Sequence, residues 1–597
     1  MNQFFKQTAA SILGTLTALI LFFTLGTGVL AFLIGTIAVR DNTPQVKAKS
    51  VLVLDLSVPI RDTSPPADFN SLLSNSNQEI IPLRQAIQAI DKAAQDNRIV
   101  GIFLDGRFGG GATGYGNLKE IRTALQRFKD KGKKIIAYDV DTSEREYYLT
   151  SLADTIILNP LGTLEMNGLS SEQLFFTGAL EKYGVGVQVV RVGSYKSAVE
   201  PFTNKSFSGE NREQTEALLT DLWEDFLSTV APSRELTARE LQDWTDTQGF
   251  LTPREAKNAG FIDRVAHFDE VIADLQALTG VNSEDESFRK ISLKKYSQVA
   301  ERDNKSSRNT IAIVYGEGTI VNGEGNLEAI GGDRLARSLR KLRQDDSVKA
   351  VILRVNSPGG SATASDIILR EVELTRESKP VIVSMGNVAA SGGYWIATGA
   401  DYIFAQENTI TGSIGVFGLF FDIEQLGNNN GLTWDVVKTG RFADINTVSR
   451  PKTKKELDIY QGFVDEFYDL FLDKVVSSRK LPLSEVANIA QGRIWSGRDA
   501  KEIGLVDEIG GLEEAIAYTA AQAELGEDWQ IEEYPKQQSL QEEILEKLLS
   551  VQQGKKAEKL DPLTAKLLEL KEDLTMLQTL NDPRGIYTRL PFTLHIK

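Results

Sequence analysis

The stretch Tyr394-Trp395-Ile396, with Ala400-Asp401 four residues further on, decides the fold because it occurs twice. Its counterpart lies 247 residues earlier, where Tyr147-Tyr148-Leu149 is followed at the same interval by Ala153-Asp154. Repetition at a fixed offset is the signature of a duplicated structural unit. We therefore predict that most of the chain consists of two copies of one unit. Differences between the copies then mark candidate functional positions.

The two copies account for most of the 597-residue chain. We predict a first repeat over residues 47–280, a polar link over 281–308 and a second repeat over 309–535. In each repeat, short apolar runs rich in β-branched residues alternate with amphipathic helical patterns. This alternation is typical of α/β units built on a mainly parallel sheet. The Leu-, Glu- and Lys-rich residues 536–597 are predicted to form a helical tail.

An uncharged N-terminal segment precedes the repeats. No charged residue occurs between Gln7 and Val39, and about 20 apolar residues are enough to span the hydrocarbon core of a bilayer. The apolar core of a cleaved signal peptide is shorter, at roughly 7–15 residues. We therefore predict a single-pass anchor over residues 1–40. It would contact the membrane near residues 10–39, with the rest of the chain on the extracytoplasmic side.

Charge and residue usage argue against several classes of function. The chain has 66 Lys and Arg residues against 82 Asp and Glu residues, for a net charge of −16. This balance does not supply the basic face that nucleic-acid binding requires. There is no cysteine, and the two histidines, His267 and His595, lie in no motif. A thiol nucleophile is excluded, and a Ser-His-Asp triad or a histidine-rich metal site is disfavoured. We predict no metal and no cofactor, and a lysine or carboxylate as the base if the protein is a hydrolase.

One glycine pattern imitates a dinucleotide-binding fingerprint. Gly109-x-Gly111-x-x-Gly114 follows a predicted strand and precedes a predicted helix, as that fingerprint does. The repeat explains the pattern better, because Gly109-Gly110 align with Gly359-Gly360 in the second copy. Both pairs are predicted to form tight turns that need the conformational freedom of glycine. No nucleotide site is predicted.

The two copies differ at reactive residue types. Ser391 of the second copy corresponds to Glu144 of the first, whereas Lys196 of the first corresponds to Ala443 of the second. Taken alone, a serine in this position is about equally well interpreted as a helix N-cap. A lone lysine is normally solvated. Because each copy lacks what the other has, we predict that packing of the copies builds one site and that the reciprocal site is inactive.

Three further positions could complete such a site. Gly359-Gly360 end a predicted strand without side chains that would cover their backbone N–H groups, a surface suited to an oxyanion. The N–H of Gly392 directly follows Ser391 at the start of a predicted helix. Ser413 supplies a second hydroxyl after the next strand, although a serine there is by default a turn residue.

Four segments together resemble a known family. Asn356–Ala364, Asn387–Ile396, Ile410–Gly418 and Tyr195–Phe202 are similar to the long, duplicated form of signal peptide peptidase A. Members of that family are membrane-anchored serine proteases of the Clp-protease/crotonase superfamily. The resemblance implies two tandem Clp-protease/crotonase-like units that assemble as a homotetramer. It also implies an endopeptidase that degrades residual signal peptides and other small apolar or unfolded peptides.

The same resemblance implies a role for each candidate residue. Ser391 would be the nucleophile, Lys196 the general base and Ser413 the residue that orients the lysine, while the N–H groups of Gly360 and Gly392 would form the oxyanion hole. A serine hydroxyl needs a base to become a good nucleophile. Lysine can serve as that base only when it is neutral, which requires burial.

Two other functions remain to be distinguished from proteolysis. An acyl-CoA enzyme of the crotonase type would share the fold, but it would need a basic, aromatic cleft and catalytic carboxylates that the sequence does not reveal. A non-enzymatic membrane scaffold would act through the tail. In that case Ser391→Ala would have no effect, whereas deletion of the tail would.

Overall fold

A computed structural model describes Gly14 and residues 44–63, 80–109, 113–281, 287–301, 307–326, 329–536 and 586–590. The predicted anchor over residues 1–40 therefore lies outside the described residues, apart from Gly14. Most of the predicted tail, residues 537–585 and 591–597, lies outside them as well. Within the described part of the chain, no helix combines the length and apolar character needed to cross a bilayer.

Strands and helices alternate through the first repeat, as its apolar pattern predicts. Its strands are β1 (Ser50–Asp55), β2 (Ile60–Arg61), β3 (Ile81–Pro82), β4 (Ile99–Gly106), β5 (Lys134–Thr142), β6 (Thr155–Met166), β7 (Gly186–Val192), β8 (Gly249–Leu251), β9 (Arg264–Val265) and β10 (Lys290–Ser292). Its helices are α1 (Leu83–Gln95), α2 (Tyr115–Asp130), α3 (Glu144–Thr150), α4 (Thr177–Tyr183), α5 (Glu200–Thr203), α6 (Gly209–Ser233), α7 (Ala238–Thr247), α8 (Pro253–Asn258), α9 (Phe268–Thr279) and α10 (Leu293–Glu301).

The second repeat follows the same plan. Its strands are β11 (Thr310–Glu317), β12 (Thr319–Val321), β13 (Ala329–Gly331), β14 (Val348–Ser357), β15 (Gly359–Ser361), β16 (Val381–Ala390), β17 (Tyr402–Ala405), β18 (Ile410–Gly412), β19 (Val416–Asp422), β20 (Ile494–Ser496), β21 (Glu508–Ile509) and β22 (Gln530–Tyr534). Its helices are α11 (Gly332–Gln344), α12 (Ala362–Arg376), α13 (Gly392–Ala397), α14 (Glu424–Asn429), α15 (Lys454–Arg479), α16 (Leu483–Ile489), α17 (Gly497–Glu502) and α18 (Leu512–Gln522). A last strand, β23 (Ile586–Arg589), follows near the C-terminus.

Each repeat has its own sheet, and the two sheets match strand by strand. The first has the order β10-β1-β4-β5-β6-β8, with β9 also paired to β6. The second has the order β22-β11-β14-β16-β18-β20, with β17 and β21 attached in the corresponding places. The central strands run parallel in both sheets. The prediction of a mixed α/β fold is therefore confirmed, and the duplication extends from sequence to topology.

Part of the predicted link belongs to the first repeat. β10 pairs in parallel with β1, where Val51 lies opposite Lys290. Leu293 and Tyr296 of α10 are fully buried. The polar composition of this segment reports its exposed face, whereas its few apolar residues add a strand and a helix to the first sheet.

A third sheet combines strands from both repeats. Its order is β13-β12-β15-β23-β19-β7, and β7 of the first repeat runs antiparallel to β19 of the second. The register extends from Val192 opposite Val416 to Gly186 opposite Asp422. The chain that follows β7 is thereby delivered to the second repeat.

The predicted helical tail contains a strand. Residues Ile586–Arg589 form β23, which pairs antiparallel with both β15 and β19. The prediction of helix is wrong for these residues. Leu, Glu and Lys dominate the sequence up to about residue 580, whereas Ile-Tyr-Thr at the start of β23 combines β-branched and aromatic residues that favour strands.

A buried group of charges also joins the repeats. Arg354 of β14 lies 2.9 Å from Asp62 and 2.7 Å from Glu120, two carboxylates of the first repeat. The Arg354 guanidinium also donates hydrogen bonds to the Ser384 hydroxyl and the Met385 carbonyl. The arginine side chain is completely shielded from solvent, and the carboxylates are at most 3% exposed.

Candidate active site

The side chains of Lys196, Ser391 and Ser413 meet at the junction of the repeats. Lys196 Nζ lies 2.8 Å from Ser391 Oγ. It also lies 3.0 Å from the carbonyl oxygen and 3.0 Å from the hydroxyl oxygen of Ser413. All three residues have zero solvent exposure. The structure thus brings together, within one chain, a lysine of the first repeat and two serines of the second.

The backbone at Ser391 turns its hydroxyl toward the lysine. Ser391 lies between β16 and α13 with a φ of 56° and a ψ of −114°, in a region that residues with a side chain rarely adopt. It occupies the N-cap position of α13, but its side chain makes no capping hydrogen bond. Its backbone N–H donates to the carbonyl of Gly412, which ties the turn to β18. The alternative interpretation of Ser391 as an ordinary helix cap therefore does not hold.

Close backbone packing carries Lys196 into the core. The chain leaves β7 through Gly193, whose φ is 103°, and the Tyr195 N–H then donates to the carbonyl of Gln491. A Cβ atom on Gly492 would lie 2.6 Å from the Cβ of Lys196. The lysine stem therefore fills space that the absence of a side chain at Gly492 leaves open, a requirement that the sequence does not reveal.

Burial determines the charge of this lysine. Removal of its ammonium from water lowers the pKa of Lys196 well below its ordinary range. Among the described residues, no carboxylate forms an ion pair with Lys196 that would offset this effect. The amine can therefore lose its proton in a pH range where a surface lysine would remain charged.

A buried polar network that sequence reasoning missed holds the lysine loop. The Gln214 side chain of α6 donates to the Tyr195 carbonyl and to the Ser197 hydroxyl, at 3.0 and 2.9 Å. Its oxygen accepts the backbone N–H of Ile494 from the second repeat. The Ser197 hydroxyl in turn donates to Asn211. On an amphipathic helix such as α6, Asn and Gln look like surface residues, so no local signal identifies this network.

Backbone contacts are also tight around the predicted oxyanion-hole residues. A Cβ atom on Gly360 would lie 1.9 Å from the carbonyl oxygen of Ile320, and one on Gly393 would lie 2.6 Å from that of Ser357. Gly359 has a φ of 91°. Only glycine fits these three positions, which keeps the backbone N–H groups of Gly360 and Gly392 unobstructed by side chains of their own strand and helix.

The first repeat has no equivalent pair of reactive residues. Glu144, which corresponds to Ser391, is 4% exposed, and its carboxylate accepts the N–H groups of Asn167 and Gly168 at 2.6 Å each. Burial raises the pKa of Glu144 to about 7. Ala443, which corresponds to Lys196, is exposed. Neither a hydroxyl nor an amine takes the corresponding position.

The glycine pattern at 109–114 does not enclose a nucleotide. Gly109 has a φ of 84°, as expected of a tight turn, and residues 110–112 lie outside the described residues. A Cβ atom on Gly114 would lie 2.3 Å from the Asn387 side chain. The second repeat therefore fills the space beside this turn.

The fold and the reactive residues define the class of protein. A serine placed after a strand of a parallel α/β sheet is the arrangement of Clp-type proteases, and residues 303–410 match the sequence model of Clp protease. Residues 127–282 and 373–526, one stretch in each repeat, match peptidase family S49. The chain belongs to peptidase family S49 and is a duplicated serine protease of the signal peptide peptidase A type.

Relatives from distant organisms share the length and the duplication. Protease 4 of Haemophilus influenzae is 38% identical over 539 residues, 87% of each chain. The chloroplastic serine protease SPPA of Arabidopsis thaliana is 35% identical over 81% of this chain and 70% of its own. An Enterococcus faecium protein that is named provisionally as signal peptide peptidase SppA is 37% identical over 32% of this chain and 58% of its own.

Proposed function

We propose that this serine protease hydrolyses peptide bonds with a dyad in which Ser391 is the nucleophile and Lys196 the general base. The observation that carries the proposal is the 2.8 Å separation of Lys196 Nζ and Ser391 Oγ inside a water-free core. A neutral amine has two N–H groups and one lone pair. The carbonyl and hydroxyl oxygens of Ser413 can accept the two N–H groups, which leaves the lone pair to face the Ser391 hydroxyl.

Acylation uses this arrangement directly. As Ser391 Oγ attacks the substrate carbonyl carbon, its proton passes to Lys196 Nζ. The N–H groups of Gly360 and Gly392 stabilise the negative oxygen that develops. The lysine then gives its proton to the leaving amine, and the N-terminal part of the substrate remains esterified to Ser391. Water hydrolyses this ester, with Lys196 again accepting a proton.

The proposed substrates are residual signal peptides and other short or unfolded apolar chains. The name of the Enterococcus faecium relative supports this class. The walls around the junction support it as well, because Val199 and Phe202 of the first repeat pack with Phe417 and Leu419 of the second. An apolar channel of this kind favours extended, apolar peptide segments.

The proposal also includes a membrane anchor and a homotetramer. The uncharged run between Gln7 and Val39 supports the anchor. It would hold the protease on the extracytoplasmic side, near signal peptides that remain in the bilayer. The resemblance to duplicated signal peptide peptidase A supports the tetramer, which would restrict access to short or unfolded chains.

A serine-reactive phosphonate tests the nucleophile. We expect a single covalent adduct on Ser391, located by peptide mass spectrometry, together with the loss of hydrolysis of a fluorogenic apolar peptide. Ser391→Ala should give no adduct. Ser413→Ala should still be labelled at Ser391 but more slowly, because the lysine is then oriented less well. Peptide hydrolysis that continues after labelling, or an adduct on another residue, would show that the dyad is assigned incorrectly.

The pH dependence tests the base. Lys196 accepts a proton only when neutral, so kcat/KM for the fluorogenic peptide should rise as pH increases through the lysine pKa. Because burial lowers that pKa, the midpoint of this rise should lie well below about 10.4, the ordinary pKa of a lysine side chain. An activity that falls or stays constant between pH 6 and pH 9 would contradict the assignment of Lys196.

A further inference from the structure

The C-terminal strand β23 lies in the catalytic groove. It is inserted between β15, which carries Gly360, and β19, which pairs with the strand that leads to Lys196. Pairing is antiparallel on both sides, as it would be for an extended peptide added between two strand edges. Tyr587, Thr588 and Leu590 are each at most 3% exposed. The chain therefore supplies its own occupant for the groove.

The register aligns one carbonyl of β23 with the predicted oxyanion hole. The Leu590 N–H donates to the Pro358 carbonyl at 2.6 Å, and Thr588 lies opposite Gly360. Hydrogen-bonded and non-bonded pairs alternate along an antiparallel ladder. Gly360 and Thr588 thus form the next bonded pair, in which the Gly360 N–H donates to the Thr588 carbonyl oxygen.

Contacts of the neighbouring glycines agree with this placement. A Cβ atom on Gly359 would lie 2.2 Å from the Thr588 carbonyl oxygen. One on Gly392, the residue after Ser391, would lie 3.0 Å from the same oxygen. The Thr588 carbonyl is therefore held between the two backbone segments that would stabilise an oxyanion.

Apolar pockets on either side hold the flanking residues. Tyr587 packs in a cluster with Ala198, Val199, Phe202, Phe417 and Leu419. Leu590 packs in a second cluster with Leu218, Leu222, Ala390, Ile410 and Ile494. Both pockets combine residues of the two repeats, so they serve as subsites on each side of the bond between Thr588 and Arg589.

We propose that β23 is a substrate of its own active site and that the enzyme removes its C-terminal residues 589–597 by cleaving the Thr588–Arg589 bond. The inference rests on the proposed dyad. Ser391 Oγ bonds to the Thr588 carbonyl carbon and its proton passes to Lys196. The Thr588–Arg589 bond then breaks, and Lys196 protonates the Arg589 nitrogen. Water hydrolyses the Thr588 ester, which frees Ser391 and leaves a chain ending at Thr588. Until that cleavage, β23 excludes other peptides.

Intact-mass spectrometry of full-length protein tests the proposal. Wild-type protein, on purification or during incubation, should lose residues 589–597 and end at Thr588, whereas Ser391→Ala should retain them. Hydrolysis of a fluorogenic apolar peptide should accelerate as the wild-type tail is removed. Thr588→Pro lacks the N–H that donates to Gly360. It should therefore keep its tail uncut and cleave the external peptide without a lag. Thr588→Ala keeps that N–H and should be processed at close to the wild-type rate.

The outcomes separate this proposal from the dyad itself. If wild-type protein hydrolyses the external peptide and is labelled on Ser391 but retains residues 589–597, self-processing is wrong and the dyad stands. Cleavage of Ser391→Ala at the same bond at the wild-type rate would also overturn self-processing, because another protease would then be responsible. If wild-type protein neither hydrolyses the peptide nor reacts at Ser391, both proposals fail.

Discussion

Lys196→Met is expected to abolish peptide hydrolysis while leaving the fold intact. Methionine nearly matches the length and apolar character of the lysine stem, so it can fill the channel beside Gly492 and Gly415. It cannot accept the proton of Ser391, 2.8 Å away in the wild-type protein. Loss of one member of a nucleophile–base pair lowers kcat by about 10⁴-fold or more. The measurement is kcat/KM for a fluorogenic apolar peptide near the optimal pH.

Stability measurements separate this loss from unfolding. Because burial lowers the pKa of Lys196, the unfolded chain binds one more proton than the folded chain at any pH between the lowered and the ordinary pKa. Stability therefore rises with pH across that window. Methionine removes this dependence, so the free energy of unfolding of Lys196→Met at neutral pH should be no lower than that of wild type.

Two controls sharpen the assignment. Lys205→Met makes the same substitution at an exposed lysine paired with Glu181, and it should retain full activity. A mixture of full-length Lys196→Met and Ser391→Ala chains should stay inactive, because the lysine and the serine of one site lie in one chain. Wild-type activity in Lys196→Met, or recovery of activity in the mixture, would contradict this arrangement.

Arg354→Ala is expected to lower the free energy of unfolding by about 3–5 kcal/mol. The substitution leaves Asp62 and Glu120 buried without the guanidinium that now lies 2.9 and 2.7 Å from them. Burial already raises the pKa of Glu120, and Arg354 offsets part of that shift. These contacts cross between the repeats, so their loss also loosens the junction at which Lys196 meets Ser391. Urea unfolding followed by tryptophan fluorescence measures the change.

The matched control is Arg337→Ala, which removes an arginine paired with Glu324 at the surface. Both of its partners are about half exposed or more, and exposed ion pairs contribute about 0–1 kcal/mol. The deficit of Arg354→Ala should shrink as pH falls, because the carboxylates left without a partner are neutralised by protons. Equal stability of the two variants at neutral pH would show that the buried group contributes little.

Repetition and local pattern account for the part of the fold that could be predicted. The runs Val51–Leu54 and Ile311–Val314 are almost continuously apolar, as strands covered on both faces must be. They form β1 and β11 inside parallel sheets. Comparison of the two copies then identified Ser391 and Lys196, because each stands where the other copy has a residue of different chemistry.

Long-range pairing explains what could not be predicted. Residues 536–597 were assigned to a helical tail from local composition, yet Thr588 lies opposite Gly360, far away in the sequence. The buried side chain of Gln214 links the lysine loop to Ile494 in the same way. Partners so distant leave no periodic signal in the segments that they join.

By itself, the sequence determined the duplicated α/β architecture and the reactive residues, because both are recorded in repetition and residue type. Only the tertiary structure decided that Lys196 meets Ser391 across 195 residues, since the contact depends on β7 pairing with β19. It also decided that the serine hydroxyl faces the amine instead of capping a helix, through the positive φ of Ser391. The burial that allows Lys196 to become neutral belongs to the assembled core, because no local segment can exclude water alone.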